Sequence, residues 1–202
     1  MRRNSCTVIV LAGPVPAEVL GTLSRSMNVT LVRPADQDGS AVTDGLAAAA
    51  DALRRAASAT SAYALVTADP LAAVAEGWQG MWDLAHPQGP ARFEQEASAA
   101  LAAWRAGRFE LPDYYLVTAA EDGGRPPDQL EQNLYLGPLR AARPHRVAFV
   151  PAAEPAEQAA GVLQALGSLR HGPWWPPLDD LIAAARTFYP GSLAEAAPPR
   201  LV

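Results

Sequence analysis

Apolar residues run without a break through Thr7-Val-Ile-Val-Leu-Ala12, the pattern of a strand buried on both of its faces. Four further short runs of strand character lie at Asn28–Arg33, Tyr63–Thr67, Tyr114–Thr118 and Arg146–Val150. Between them the apolar positions change period and recur three or four residues apart, as on one face of a helix. Leu71, Val74, Trp78 and Trp82 form one such face, and Phe93, Ala97, Leu101 and Trp104 another. The spacing predicts helices over about 16–26, 42–57, 70–82, 92–106, 128–135, 155–166 and 178–188. Proline and glycine mark the boundaries: Gly13-Pro14 ends the first strand, Pro34 closes the second, Pro70 opens a helix, and Gly137-Pro138 stops or kinks the short one.

Five strands alternating with helices predict a parallel sheet with right-handed crossovers and helices on both faces. The fold class is α/β, a flavodoxin-like or Rossmann-like three-layer sandwich, most simply with strand order 2-1-3-4-5. Residues 1–192 read as a single domain, and 193–202 as a frayed Ala/Pro-rich tail. In that order the first and third strands meet at the point where the sheet changes direction. Gly13, Pro14 and Asp69 would then frame the crevice at its carboxyl edge.

Composition narrows the chemistry. Half of the 202 residues are apolar, so the chain can bury a core without a metal or disulfide. All 16 basic side chains are arginine, which removes Schiff-base lysine chemistry and a P-loop lysine. A net charge of −5 argues against nucleic acid or an anionic membrane as partner. Cys6 is the single cysteine, and His86, His145 and His171 lack metal-ligand spacing, so neither a metal nor a cofactor is called for. The Met1–Ser5 segment and the run after it imitate a signal peptide, but the run is too short. The expectation is a cytoplasmic protein with no membrane partner.

The candidate site residues each have a structural and a functional reading. Gly13 and Pro14 make an ordinary strand-to-helix turn, or they give a ligand room against the backbone; G-x-G-x-x-G is absent. Asp69 caps the helix that Pro70 opens, or it holds a pair of sugar hydroxyls. Glu94 and Glu96 lie in the first turns of a helix, where its dipole favours acids. The functional reading needs Glu94 to face the crevice and share it with Asp69. Glu121, Asp122, Arg125 and Asn133 form a solvated turn and a helix surface, or a pocket wall with Arg125 clamping an anion. Trp174 and Trp175, between prolines, pack against the last helix, serve an oligomer interface, or stack on a ligand base.

Taken together, Leu11-Ala-Gly-Pro14, Gly77-Trp78, Ala91-Arg-Phe-Glu94 with Ala97, Ala99 and Ala100, and Asp122-Gly-Gly-Arg125 with Asn133-Leu134 resemble the nucleoside 2-deoxyribosyltransferase-like superfamily. The resemblance extends over about residues 7–136. It implies a flavodoxin-like fold, a homo-oligomer with shared active sites, a nucleoside or nucleotide substrate, and cleavage of its N-glycosidic bond. Glu94 would be the nucleophile, Asp69 would orient the sugar, and Asp122, Arg125 and Asn133 would contact the substrate. The chain departs from the pattern at Gln88, where the family has an aspartate six residues before the glutamate, and at Pro90, which replaces a glycine. A chain so altered also fits a second reading: a non-catalytic Rossmann-like module that binds a nucleotide or a partner protein.

Overall fold

A computed structural model describes residues 6–34, 45–82, 88–118, 133–151 and 154–188. The strands are β1 (Thr7–Ala12), β2 (Val29–Val32), β3 (Tyr63–Val66), β4 (Tyr114–Thr118) and β5 (Val147–Val150). The helices are α1 (Ala17–Ser24), α2 (Gly45–Ala57), α3 (Ala72–Gly80), α4 (Gly89–Arg105), α5 (Pro155–Gly167) and α6 (Leu178–Thr187), with a π-helix at Tyr135–Leu139 and short turns over 140–146. All five strands are parallel, so the chain is the α/β layered sandwich that its alternation of strands and helices predicts.

The strand order is β2-β3-β1-β4-β5, so β3 lies between β2 and β1 where the simplest order has β1 between β2 and β3. This moves the place where the sheet changes direction. After β1 the chain leaves toward β2, and after the neighbouring β4 it leaves toward β5, so connections diverge between β1 and β4. Asp69, at the end of β3, lies one strand away from that point.

Alternation along each strand builds two cores. Ile9, Leu11, Leu65, Leu116 and Val150 face Val19 and Leu23 of α1 and Ala159, Val162 and Leu166 of α5. Val8, Val10, Ala64, Val66, Tyr115 and Val117 face the larger layer of α2, α3, α4, the π-helix and α6. The alanine-rich α2 turns Ala49, Ala50, Ala52, Leu53 and Ala56 inward.

Helix α3 packs on α4 at unusually short range. A Cβ on Gly77 would stand 2.8 Å from Phe93 Cα, and one on Gly89 would overlap the Gly80 carbonyl. Trp78, fully buried, meets Trp82 and Phe93 edge-on with ring centroids 5.4 and 5.7 Å apart.

The Gly137-Pro138 pair does not stop a helix that ends at Tyr135: the helical turn begins at Tyr135 and runs through the proline to Leu139. Pro138 has no N–H to return to Leu134. The turn widens by one residue, and Leu139 N–H reaches the Leu134 carbonyl at 3.2 Å instead. The start of the helix expected at Asp128 lies outside the described residues.

Candidate functional site

Asp69 follows β3 at the carboxyl edge of the sheet, and its carboxylate gathers donors from three parts of the chain. Leu71 N–H donates to Oδ1 at 3.1 Å in an Asx turn just ahead of α3; the helix begins at Ala72 with Leu71 as its N-cap, so neither Asp69 nor Pro70 takes the helix-start position expected from the Asp-Pro pair. The Tyr115 hydroxyl, from β4, donates to Oδ1 at 3.3 Å. The Tyr135 hydroxyl, from the π-helix, donates to Oδ2 in a short hydrogen bond. The two tyrosine rings are buried, with centroids 5.0 Å apart, and Trp175 stands edge-on to Tyr115 at 5.8 Å.

Burial opposes charge at Asp69 and pushes its carboxyl from 3.8 up to about 6. The Tyr135 hydroxyl, the Leu71 N–H and the Tyr115 hydroxyl pull the other way. Burial, and then the Asp69 charge, hold both phenols well above their ordinary value, so they remain donors. Chemically this is a titratable acid within a hydrogen-bonded cluster. Three of its acceptor positions are already filled.

Glu94 does not look into the sheet edge. It is exposed on α4 and forms a two-pronged pair with Arg186 of α6, at 2.9 Å (Nε to Oε1) and 2.8 Å (Nη2 to Oε2). The Arg186 guanidinium holds the carboxyl below its usual range. The reason lies in helical geometry. Phe93 takes the inward position and is 1% exposed, so the next residue, a hundred degrees around the helix, points outward. Glu94 and Asp69 therefore have separate partners, and neither lines the two hollows described below.

Gly13 needs its glycine for a contact within the protein. Its φ is +114°, and a Cβ there would overlap the Thr118 carbonyl of β4. The Thr118 hydroxyl donates to the Pro14 carbonyl at 3.0 Å, closing β1 against β4 where their connections diverge. Asn133 caps the π-helix: its Oδ1 accepts from Tyr135 N–H at 2.9 Å and Leu136 N–H at 3.3 Å. Asp122 and Arg125, with Glu121 and His86, lie outside the described residues. Gln88 and Pro90 stand exposed at the start of α4.

Trp174 and Trp175 belong to a segment that runs between α5 and α6 at the amino edge of the sheet. Trp175 is buried and donates its indole N–H to the Pro112 carbonyl at 2.7 Å. Arg146, just before β5, is also buried, and donates to the carbonyls of Pro173 (2.8 Å), Asp113 (2.8 Å) and Gly172 (3.0 Å). Its guanidinium lies 5.3 Å from the Tyr114 ring centroid and 4.6 Å from that of Trp174. Arg143 adds a 2.7 Å bond to the Trp174 carbonyl. The packing reading of the tryptophan pair accounts for Trp175; Trp174 remains 45% exposed.

Beside it is a hollow of about 320 Å³, lined by Trp104, Glu110, Leu111 and the run from Trp174 to Pro177. A second, of about 170 Å³, lies against α2 and shares Glu110 with the first.

Sequence reasoning missed four partners: Tyr115, Tyr135, Arg186 and Arg146. Strand period alone could have turned Tyr115 inward with Val117. Nothing local marks the other three. Among the described residues no cluster of acids, histidines or cysteines is placed to hold a metal, and no helix is long and apolar enough to cross a membrane. Compared with known proteins, the chain matches no family model, no curated protein and no solved structure.

Proposed function

We propose that this chain is a non-catalytic Rossmann-like module that works by binding. One observation carries the reading. The two acids that glycosidic cleavage would need are each committed to a structural partner set: Glu94 to Arg186 on the outer surface, and Asp69 to Leu71, Tyr115 and Tyr135 beneath the sheet edge. A nucleophile has to reach an anomeric carbon, with an acid placed to serve the leaving base. An exposed glutamate paired on both oxygens fits the first task poorly.

The competing reading, a nucleoside or nucleotide N-glycosidase or deoxyribosyltransferase using Glu94, keeps one supporting observation. Asp69 stands at the carboxyl edge of a parallel sheet with its carboxyl raised to about 6, where a general acid would operate near neutral pH. Base release from a panel of nucleosides and nucleotides, wild type against Glu94→Gln, separates the two. The expected result is no release by either protein. Turnover by the wild type that Glu94→Gln abolishes would replace the binding reading with the catalytic one. Because the Glu94 pair is exposed, its loss costs no more than about 1 kcal/mol, so the variant remains folded for the comparison.

A further inference from the structure

We propose that the amino edge of the sheet around Trp174 is a docking surface for an acidic peptide segment of a partner protein. The inference deepens the binding reading and rests on it. Two stretches of the chain meet at this edge, the turns over 140–146 and the segment from Arg170 to Pro177. Arg143 donates to the Trp174 carbonyl at 2.7 Å, Arg146 donates to the Gly172 and Pro173 carbonyls, and a His145 ring nitrogen lies 3.0 Å from the Pro173 oxygen. No aspartate or glutamate occurs between Asn133 and Val150, or between Gln158 and Leu178.

Four arginines gather here without a carboxylate partner. Elsewhere arginine is used in ion pairs: Arg54 and Arg55 with Asp51, Arg92 with Glu76, Arg105 with Asp179, and Arg186 with Glu94. Arg143 and Arg146 bind only carbonyls, which leaves their charge unneutralised. Arg140 and Arg170 stand exposed, with no ion pair among the described residues. The one acid in these contacts, Asp113, gives Arg146 its carbonyl, while its carboxylate accepts from Val8 N–H at 2.7 Å. A guanidinium is a fork that fits a carboxylate, so an acidic side chain is the group this surface lacks.

Trp174 supplies the apolar anchor. Its ring lies against the Arg146 guanidinium, 4.6 Å from the centroid, and 45% of the residue is exposed. The hollow of about 320 Å³ beside it, walled by Trp104, Leu111, Trp175, Pro176 and Pro177, has room for a proline or a leucine of the peptide. Glu110, on the same lining, is already engaged, and its charge keeps the peptide's acids on the arginine side. Tryptophan and arginine dominate the energetics of protein interfaces, and a wall already held by hydrogen bonds loses little entropy on binding. A nucleic-acid strand fits less well. It bears a phosphate about every 3.4 Å, and beyond this edge it meets a molecule of net charge −5.

The test is isothermal titration calorimetry of the full chain with the peptide Glu-Glu-Pro-Leu-Pro-Glu-Glu. The same peptide with glutamine at every glutamate serves as control. The expected result is saturable binding of the acidic peptide and binding of the control about tenfold weaker. Arg140→Gln and Arg170→Gln should each weaken the acidic peptide about twofold to fivefold, and Trp174→Leu about tenfold. Arg33→Gln makes the same change of charge at the opposite, carboxyl edge, just after β2, and should leave the affinity unchanged. No saturable heat, equal binding of the glutamine control, or equal weakening by Arg33→Gln and Arg170→Gln overturns the proposal. Tighter binding of an oligothymidylate of equal charge than of the peptide also overturns it, by assigning the surface to single-stranded nucleic acid. Failure of the peptide to bind would leave the non-catalytic reading standing on its own assay. Base release that Glu94→Gln abolishes would remove that reading while leaving the peptide affinity as measured.

Discussion

At the scale of single side chains, Asp69 sets a pH response that its neighbours make measurable. Its folded-state value of about 6 lies above the ordinary 3.8, so the folded protein holds this proton more tightly than the unfolded chain. The contribution is complete below about pH 4 and is lost as pH rises through about 6. Asp69→Asn removes that dependence and keeps an oxygen that can accept from Leu71 N–H. Between pH 5 and pH 7.5 the wild-type melting temperature should fall by about 2–6 °C more than that of the variant. Equal slopes for the two proteins would place Asp69 in ordinary contact with water. Glu94 titrates in the opposite sense, its value being lowered by Arg186, and it cancels in the difference between the proteins.

At the scale of elements, the α3–α4 pair depends on missing side chains. Gly77→Ala adds a methyl 2.8 Å from Phe93 Cα and 2.9 Å from Phe93 N, both backbone atoms that cannot swing aside. The helices must part, at about 1–3 kcal/mol, and the helix preference of alanine over glycine returns only about 1. Gly80→Ala is the matched control. Its new methyl meets Gly89 Cα at 3.6 Å, an ordinary contact, so urea denaturation should leave it within about 0.5 kcal/mol of wild type. A loss of similar size in Gly80→Ala would remove close approach to the Phe93 backbone as the source of the cost.

At the scale of the whole molecule, the segment joining α5 to α6 passes from one face of the sheet to the other around its amino edge, and Arg146 is its main anchor. Replacing it by methionine keeps much of the apolar stem but strips donors from the carbonyls of Gly172, Pro173 and Asp113. Urea denaturation should register a loss of about 2–4 kcal/mol. Arg146→Lys should recover less than half, because one ammonium cannot serve three carbonyls and two rings at once. Tryptophan emission should shift to longer wavelength in both variants as buried Trp175 gains access to water; an unshifted spectrum would remove Arg146 as the anchor.

Local pattern determined most of the architecture. Unbroken apolar runs, helical periods and Gly/Pro punctuation mark where strands and helices fall, because each depends on neighbours within a few residues. The turn at Asp69 was legible for the same reason, from the proline that follows it, although the helix starts two residues later than that proline. Strand order was not. Placing β3 or β1 beside β2 depends on which crossover packs better over the whole sheet, and both orders satisfy the same period. Nor was the direction of Glu94, which turned on Phe93 taking the inward place and Arg186 waiting 92 residues further on. Tyr135 reaches Asp69 across 66 residues, and Arg146 reaches Pro173 across 27. Such pairings cost nothing in local conformation and leave no trace in local pattern. Only the assembled sheet and its two helical layers bring the partners together.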